Sequence, residues 1–188
     1  MTGRKPRSDA IFNRERLIDA AKEVLRHGGP DASLGAVARR AGVGIGTLYR
    51  HFPTREALFQ AVYRHEVEQL IVLAAELKET GDGVEALRAW LHANVALVAT
   101  KRGLLGALAV VLTEESKAMY SELSVRVTAA VDQLLQRAIS SGALRSDIAA
   151  DDLLQTMYAL CYARQPEPGW EKRVLHLLDI FIDGLRAR

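Results

Sequence analysis

The residues best suited to chemistry fall in one short run. Between Ser33 and Arg55 the sequence places Thr47, Tyr49, Arg50 and His51, side chains that donate hydrogen bonds or carry charge. Laid on a helix at about 100° per residue with Ile45, Leu48 and Phe52 inward, Gly46, Thr47 and Arg50 stand outermost, with Tyr49 and His51 on the margins. An arginine fork suits guanine or phosphate, and a threonine suits a base edge or a thymine methyl. Gly46 costs about 1 kcal/mol in helix propensity but lets the backbone approach another surface closely. Tyr49 and His51 carry donors better matched to phosphate oxygens than to base edges. Arg55 opens the next helix, where free amides already attract anions, and Ser33 can serve a phosphate similarly at an earlier helix. Such a face suits the major groove of a nucleic acid.

Other candidate chemistry is sparse. Cys161 is the only cysteine, which excludes an intramolecular disulfide framework and a cysteine-cluster metal site. As a nucleophile it would need a positioned base, yet His92 and His176 fall on separate helices and no glycine-framed nucleophile turn exists. The chain reads as a binding protein with no cofactor rather than an enzyme. Asn94 is a different case. It lies in an apolar stripe of Leu87, Leu91 and Val98, and a buried amide must be hydrogen-bonded, either to neighbouring helix groups or to a ligand. Trp90, Met119, Tyr120, Leu123, Tyr158, Cys161 and Tyr162 either line a cavity beside it or are plain core. On the first alternative, Asn94 and a neighbouring tyrosine orient an apolar ligand of modest size.

The elements that must position these residues are helical throughout. Leu17, Ile18, Ala21, Val24 and Leu25 recur at helical spacing over 13–27, and Gly28-Gly29-Pro30 stops that helix. Ser33 caps a second helix over 34–41, which Gly42 ends by tolerating a left-handed backbone. A third helix runs over about 45–52. Pro53 ends it, and Thr54 caps a long fourth helix over about 55–79 with Glu56 against its positive end. Apolar periodicity predicts further helices over 84–100, 104–112, 116–139, 150–164 and 170–186, divided at Lys101-Arg102-Gly103, Ser140-Ser141-Gly142 and 166–169. The expected fold is all-α, about nine helices, with a DNA-binding domain over 1–54 and a helical bundle over 55–188.

Composition bounds the rest. The chain has 188 residues, 49% hydrophobic and 26% charged, ordinary values for a globular protein. No run is long and apolar enough to span a membrane, and the basic start is not followed by a signal-like apolar run, so the cytoplasm is the expected compartment. The net charge of +2 hides an asymmetry. Residues 1–65 carry 12 Lys/Arg against 6 Asp/Glu, whereas 66–188 carry 13 against 17. A basic head favours a polyanionic partner. Arg4, Lys5 and Arg7 form either a solubilising tail or an arm lying along a DNA backbone or minor groove.

Residues 33–52 carry the most specific pattern. A helix pair crossing over a tight turn needs a small residue at the crossing, a glycine in the turn and apolar glue between the helices. Ala38, Gly42 and the set Val37, Ala41, Val43 and Leu48 fill those roles. The run Ala38-Arg39-Arg40-Ala41-Gly42-Val43, then Thr47-Leu48-Tyr49-Arg50-His51-Phe52 and Arg55-Glu56-Ala57-Leu58, resembles the TetR/AcrR family over about residues 11–65. The resemblance implies that Tyr49, His51 and Arg55 contact phosphates, while Gly44, Ile45, Gly46 and Thr47 lie near base edges. Gly44 and Arg55 depart from the serine and lysine common in the family. The first departure removes a helix cap, and the second keeps the charge but alters its geometry.

The resemblance further implies a repressor that leaves near-palindromic, double-stranded operator DNA on binding a small-molecule effector, and a homodimer formed through the last two long helices. Leu153, Leu154, Met157 and Leu160, with Val174, Leu177, Leu178, Phe181 and Leu185, give those helices apolar arcs wide enough to pack on their own body and on a second chain. All of it as intrachain core is the alternative. A sequence-tolerant DNA binder and a ligand-sequestering dimer with a vestigial head are the rival functions.

Overall fold

The computed structural model describes residues 5–26, 33–79, 81–108, 113–163 and 167–187. These form eight helices: α1 (Lys5–Arg26), α2 (Leu34–Arg40), α3 (Ile45–His51), α4 (Arg55–Lys78), α5 (Gly83–Leu108), α6 (Glu114–Ser140), α7 (Ala150–Tyr162) and α8 (Trp170–Gly184). The only extended pairing among the described residues is an isolated antiparallel bridge between Leu144 and Arg186. No helix among them is long and apolar enough to cross a membrane.

The helix count is one fewer than the periodicity predicts, because Lys101-Arg102-Gly103 does not break the chain. These residues lie inside α5. A Cβ at position 103 would sit 2.2 Å from the Arg26 carbonyl oxygen and 2.7 Å from that of Leu25. The glycine is therefore needed where α5 meets the end of α1, and does not terminate a helix. Lys101 is likewise no loop residue. Its ammonium lies 5.2 Å from the centre of the Tyr63 ring, which stacks on Phe59, and burial pushes its pKa down. The first helix also begins earlier than the apolar pattern suggests, at Lys5.

Other breaks fall where expected and have local causes. Gly142 has φ of +73° after α6, and Gly169 has φ of +81° at the start of α8, a backbone region that glycine enters without steric cost. The Asp82 carboxylate accepts from the N–H groups of Val84 at 2.8 Å and Glu85 at 3.2 Å, capping α5.

The chain forms two compact units, residues 1–65 with 99–116 and residues 66–98 with 117–188. Helices α4, α5 and α6 each run from one unit into the other. In the first, Leu17, Ile18 and Leu25 of α1, Val37 of α2, Leu48 of α3, Leu58 and Phe59 of α4 and Leu104 of α5 are buried. In the second, the core comprises Leu87, Trp90 and Leu91 of α5, Leu123, Val131 and Leu134 of α6, Leu153 and Met157 of α7, and Leu178 and Ile182 of α8. Each such side chain contributes about 1.5–3 kcal/mol on leaving water. Arg88 of α5 ties down α8 by donating to Asp179 at 2.7 Å and Asp183 at 2.6 Å.

Candidate nucleic-acid interface

Residues 33–55 fold into the helix-turn-helix by short-range interactions. Ser33 has extended backbone, and its hydroxyl accepts from the Ala36 N–H at 3.1 Å, closing the first turn of α2. Gly42 takes φ of +65°, the left-handed conformation that lets the chain reverse between α2 and α3. Two bonds hold the turn: the Gly42 N–H donates to Arg39 and the Val43 N–H to Ala38, each at 3.0 Å. Val37, Ala38, Ala41, Leu48 and Phe52 are buried, so α3 is fixed along one edge. Arg14 of α1 covers the Phe52 ring, its guanidinium 5.4 Å from the centroid, while Arg40 pairs with Glu23 at 2.5 Å. The latter pair is exposed at both ends, so it contributes little stability.

What this leaves outward is a donor-rich face. Gly44, Gly46, Tyr49, Arg50 and Arg55 are exposed, and Thr47 and His51 are half-buried. Residues 33–55 contain four arginines and no Asp or Glu. Tyr49 stands 49% exposed. The structure corrects the helical placement in one respect. Ile45, expected inward, is 46% exposed: as the first residue of α3 it precedes the stretch that Leu48 and Phe52 anchor. Gly44, standing before it, supplies no side-chain cap. A Cβ at Gly46 would meet nothing within 4 Å, so no packing requirement among the described residues explains that glycine.

The start of α4 is anchored in a way the sequence did not announce. Thr54 caps it, Oγ1 accepting from the Ala57 N–H at 3.0 Å. Glu56, beside Arg55, accepts from the Ser116 hydroxyl and from Thr113 Oγ1 at 2.9 Å. Gln60 reaches the same Ser116 oxygen at 3.1 Å. Hydrogen bonds from Ser116 and then Thr113 hold the Glu56 carboxyl below its ordinary pKa. Arg4 lies outside the described residues, as do the side chains of Lys5 and Arg7, whose backbone belongs to α1.

The residues expected around an effector separate into three groups. Trp90, Asn94, Met119, Leu123 and Cys161 are buried, Tyr120 and Tyr158 are half-buried, and Tyr162 is 51% exposed and so outside any enclosed space. Of the residues expected between subunits, Leu153, Met157, Val174, Leu178 and Leu185 are buried within the chain itself. The outward row instead includes Tyr162, Leu177 and Ile180, with Leu160 and Phe181 half-buried. A cavity of about 230 Å³ lies between α7 and α8, lined by Leu160, Cys161, Ala163, Trp170, Arg173, Val174 and Leu177.

Known proteins carry the same organisation. Residues 17–62 match the family described as bacterial regulatory proteins, tetR family, and residues 82–187 match the family described as transcriptional regulator SbtR-like, C-terminal domain. An HTH-type transcriptional regulator of Staphylococcus aureus is 35% identical over 71 residues, 37% of each protein, so that match spans little more than a third of either. Two solved structures extend over nearly the whole chain. A TetR transcriptional regulator from Streptomyces coelicolor is 35% identical, with TM-score 0.77, over 93% of this chain and 98% of that one. A TetR transcription regulatory protein from Mycobacterium vanbaalenii is 30% identical, with TM-score 0.72, over 96% and 99%. Taken with its helix-turn-helix and all-helical fold, the chain belongs to the TetR family of DNA-binding transcriptional regulators, a family of regulators and not of enzymes.

Proposed function

We propose that the protein is a cytoplasmic repressor that binds a near-palindromic operator as a homodimer and leaves it when a small-molecule effector binds. The observation that carries this reading is the exposed, acid-free outer face of α3 on a head held rigid by Leu48 and Phe52. Arg50 and Thr47 read base edges, and Gly44, Ile45 and Gly46 bring the start of α3 close to them. Ser33, Tyr49, His51 and Arg55 clamp phosphates, fixing register without reading sequence. The Ser33 hydroxyl accepts from Ala36 while its own proton stays available to a phosphate. Arg4, Lys5 and Arg7 add contacts to the DNA backbone or minor groove.

Dimerisation through α7 and α8 would cover Tyr162, Leu177 and Ile180, which are exposed. Two heads then meet half-sites about one helical turn, roughly 34 Å, apart. The effector occupies the second unit among Trp90, Asn94, Met119, Tyr120, Leu123, Tyr158 and Cys161. Helices α4, α5 and α6 each contribute residues to both units, the covalent connection through which effector binding would bear on the head. Linkage makes the coupling reciprocal: an effector that lowers operator affinity is itself bound less tightly by the DNA complex.

Selection of bound duplexes from a random pool, followed by footprinting, tests the reading. A discrete protected site with two half-sites is expected. Uniform protection without a preferred sequence would replace it with a sequence-tolerant binder.

A further inference from the structure

Asn94 is 0% exposed in the middle of α5, and neither its amide nitrogen nor its amide oxygen makes a hydrogen bond. Its own helix cannot help. Trp90, Leu91, Leu97 and Val98, one turn to either side, are buried and apolar, and the Trp90 indole N–H is already committed to the Leu70 carbonyl at 2.9 Å. Burying an amide with both ends unmatched is a standing cost that a packed core avoids by using leucine. The half-buried Tyr158 phenol of α7 is turned toward the amide closely enough to feel it, though outside hydrogen-bonding geometry. The two other tyrosines expected near the effector are placed differently: Tyr162 is half in solvent, and Tyr120 belongs to α6.

An asparagine amide presents a donor and an acceptor side by side and carries no charge. Its complement is a group with acceptor and donor in the same order. Among the described residues of this unit the buried side chains other than Asn94 are apolar, with Glu66 of α4 the one buried carboxylate. Among the described residues of this unit an anionic ligand would find no buried counter-ion and a cationic one only Glu66, and either would lose its hydration.

Resting on the reading of the protein as an effector-controlled regulator, we infer that Asn94, with Tyr158 beside it, is the polar contact for an uncharged, mainly apolar effector bearing a carboxamide or lactam. Two parallel hydrogen bonds would then satisfy the Asn94 amide, and the surrounding leucines and Trp90 would take the apolar body.

Three probes of one shape separate the possibilities: para-butylbenzamide, which is neutral, para-butylbenzoate, which is anionic, and para-butylbenzamidine, which is cationic. Their affinities for the full-length protein are measured by calorimetry. Operator affinity is measured in parallel on a duplex from the selection above. The benzamide is expected to bind at least tenfold tighter than either charged probe. Asn94→Leu is expected to remove that tenfold preference while leaving operator affinity of the free protein unchanged, and Tyr158→Phe to weaken benzamide binding by a smaller factor. Equal affinities for the three probes, no measurable binding of the benzamide, or unchanged benzamide binding by Asn94→Leu would each overturn the inference. Tighter binding of the benzamidine would also overturn it and assign recognition to Glu66. If Asn94→Leu does not fold, the Tyr158→Phe comparison decides alone. Failure of the probes with operator binding intact removes only this inference, whereas absence of operator binding removes the regulator reading.

Discussion

Replacing Gly103 with alanine should loosen the head without touching any residue assigned to DNA. The added Cβ would lie 2.2 Å from the Arg26 oxygen, 2.6 Å from its carbonyl carbon and 2.7 Å from the Leu25 oxygen. All three are backbone atoms and cannot rotate away, so α1 and α5 must separate by about 1 Å to restore ordinary contact. Overpacking of this kind costs about 1–3 kcal/mol, and a clash with rigid backbone belongs at the upper end. Alanine returns about 1 kcal/mol of helix propensity, leaving a net loss of about 2 kcal/mol. For a chain of this size that corresponds to a fall in Tm of about 4–8 °C, read by circular dichroism at the helical band. Gly46→Ala is the control, because nothing lies within 4 Å of its added Cβ. It should leave Tm unchanged or slightly raised and weaken operator binding at least tenfold. A Gly103→Ala melt equal to wild type would refute the claim that close helix approach, and not a helix stop, explains this glycine.

Other perturbations separate stability from function. Asn94→Leu removes two unmatched buried polar atoms, so the free protein should gain about 1–3 kcal/mol; a lower Tm would mean that the amide is bonded internally. Glu56 has its folded pKa held below the ordinary carboxylate value. Its contribution is therefore present above that ordinary value and lost as the pH falls through the folded pKa. Melts from neutral pH down to about pH 3 should show a shallower acid loss for Glu56→Gln than for wild type, and parallel curves would dismiss the Ser116 and Thr113 bonds as incidental. Leu177→Glu combined with Ile180→Glu places charges on the outward row of α7 and α8, and should convert a dimer to monomer in sedimentation with little change in Tm. A persistent dimer would move the interface elsewhere.

The head was legible because its determinants are local. The Ser33 cap, the positive φ of Gly42 and the apolar positions Val37, Ala41 and Leu48 all act within one stretch of twenty residues. What the sequence concealed depends on distant chain. Gly103 looks like a stop until the backbone of Arg26 is placed against it. Glu56 resembles a dipole partner until Ser116, sixty positions away, meets it. The arcs on α7 and α8 are wide enough for two interfaces, but periodicity alone does not say which half faces the body. The structure turns Leu153, Met157 and Leu178 inward and leaves Leu177 and Ile180 outside. Ile45 shows the same limit at smaller scale, since a helical wheel ignores where along the helix the supporting partner ends.

The central claim is that the outer face of α3 reads sequence. Fluorescence anisotropy of the selected operator duplex and of a scrambled duplex, at one fixed salt concentration, tests it directly. Wild type should prefer the operator by about a thousandfold or more. Arg50→Ala should cost about 1–3 kcal/mol on the operator and much less on the scrambled duplex. Equal wild-type affinity for the two duplexes, or an equal loss on both from Arg50→Ala, would contradict it.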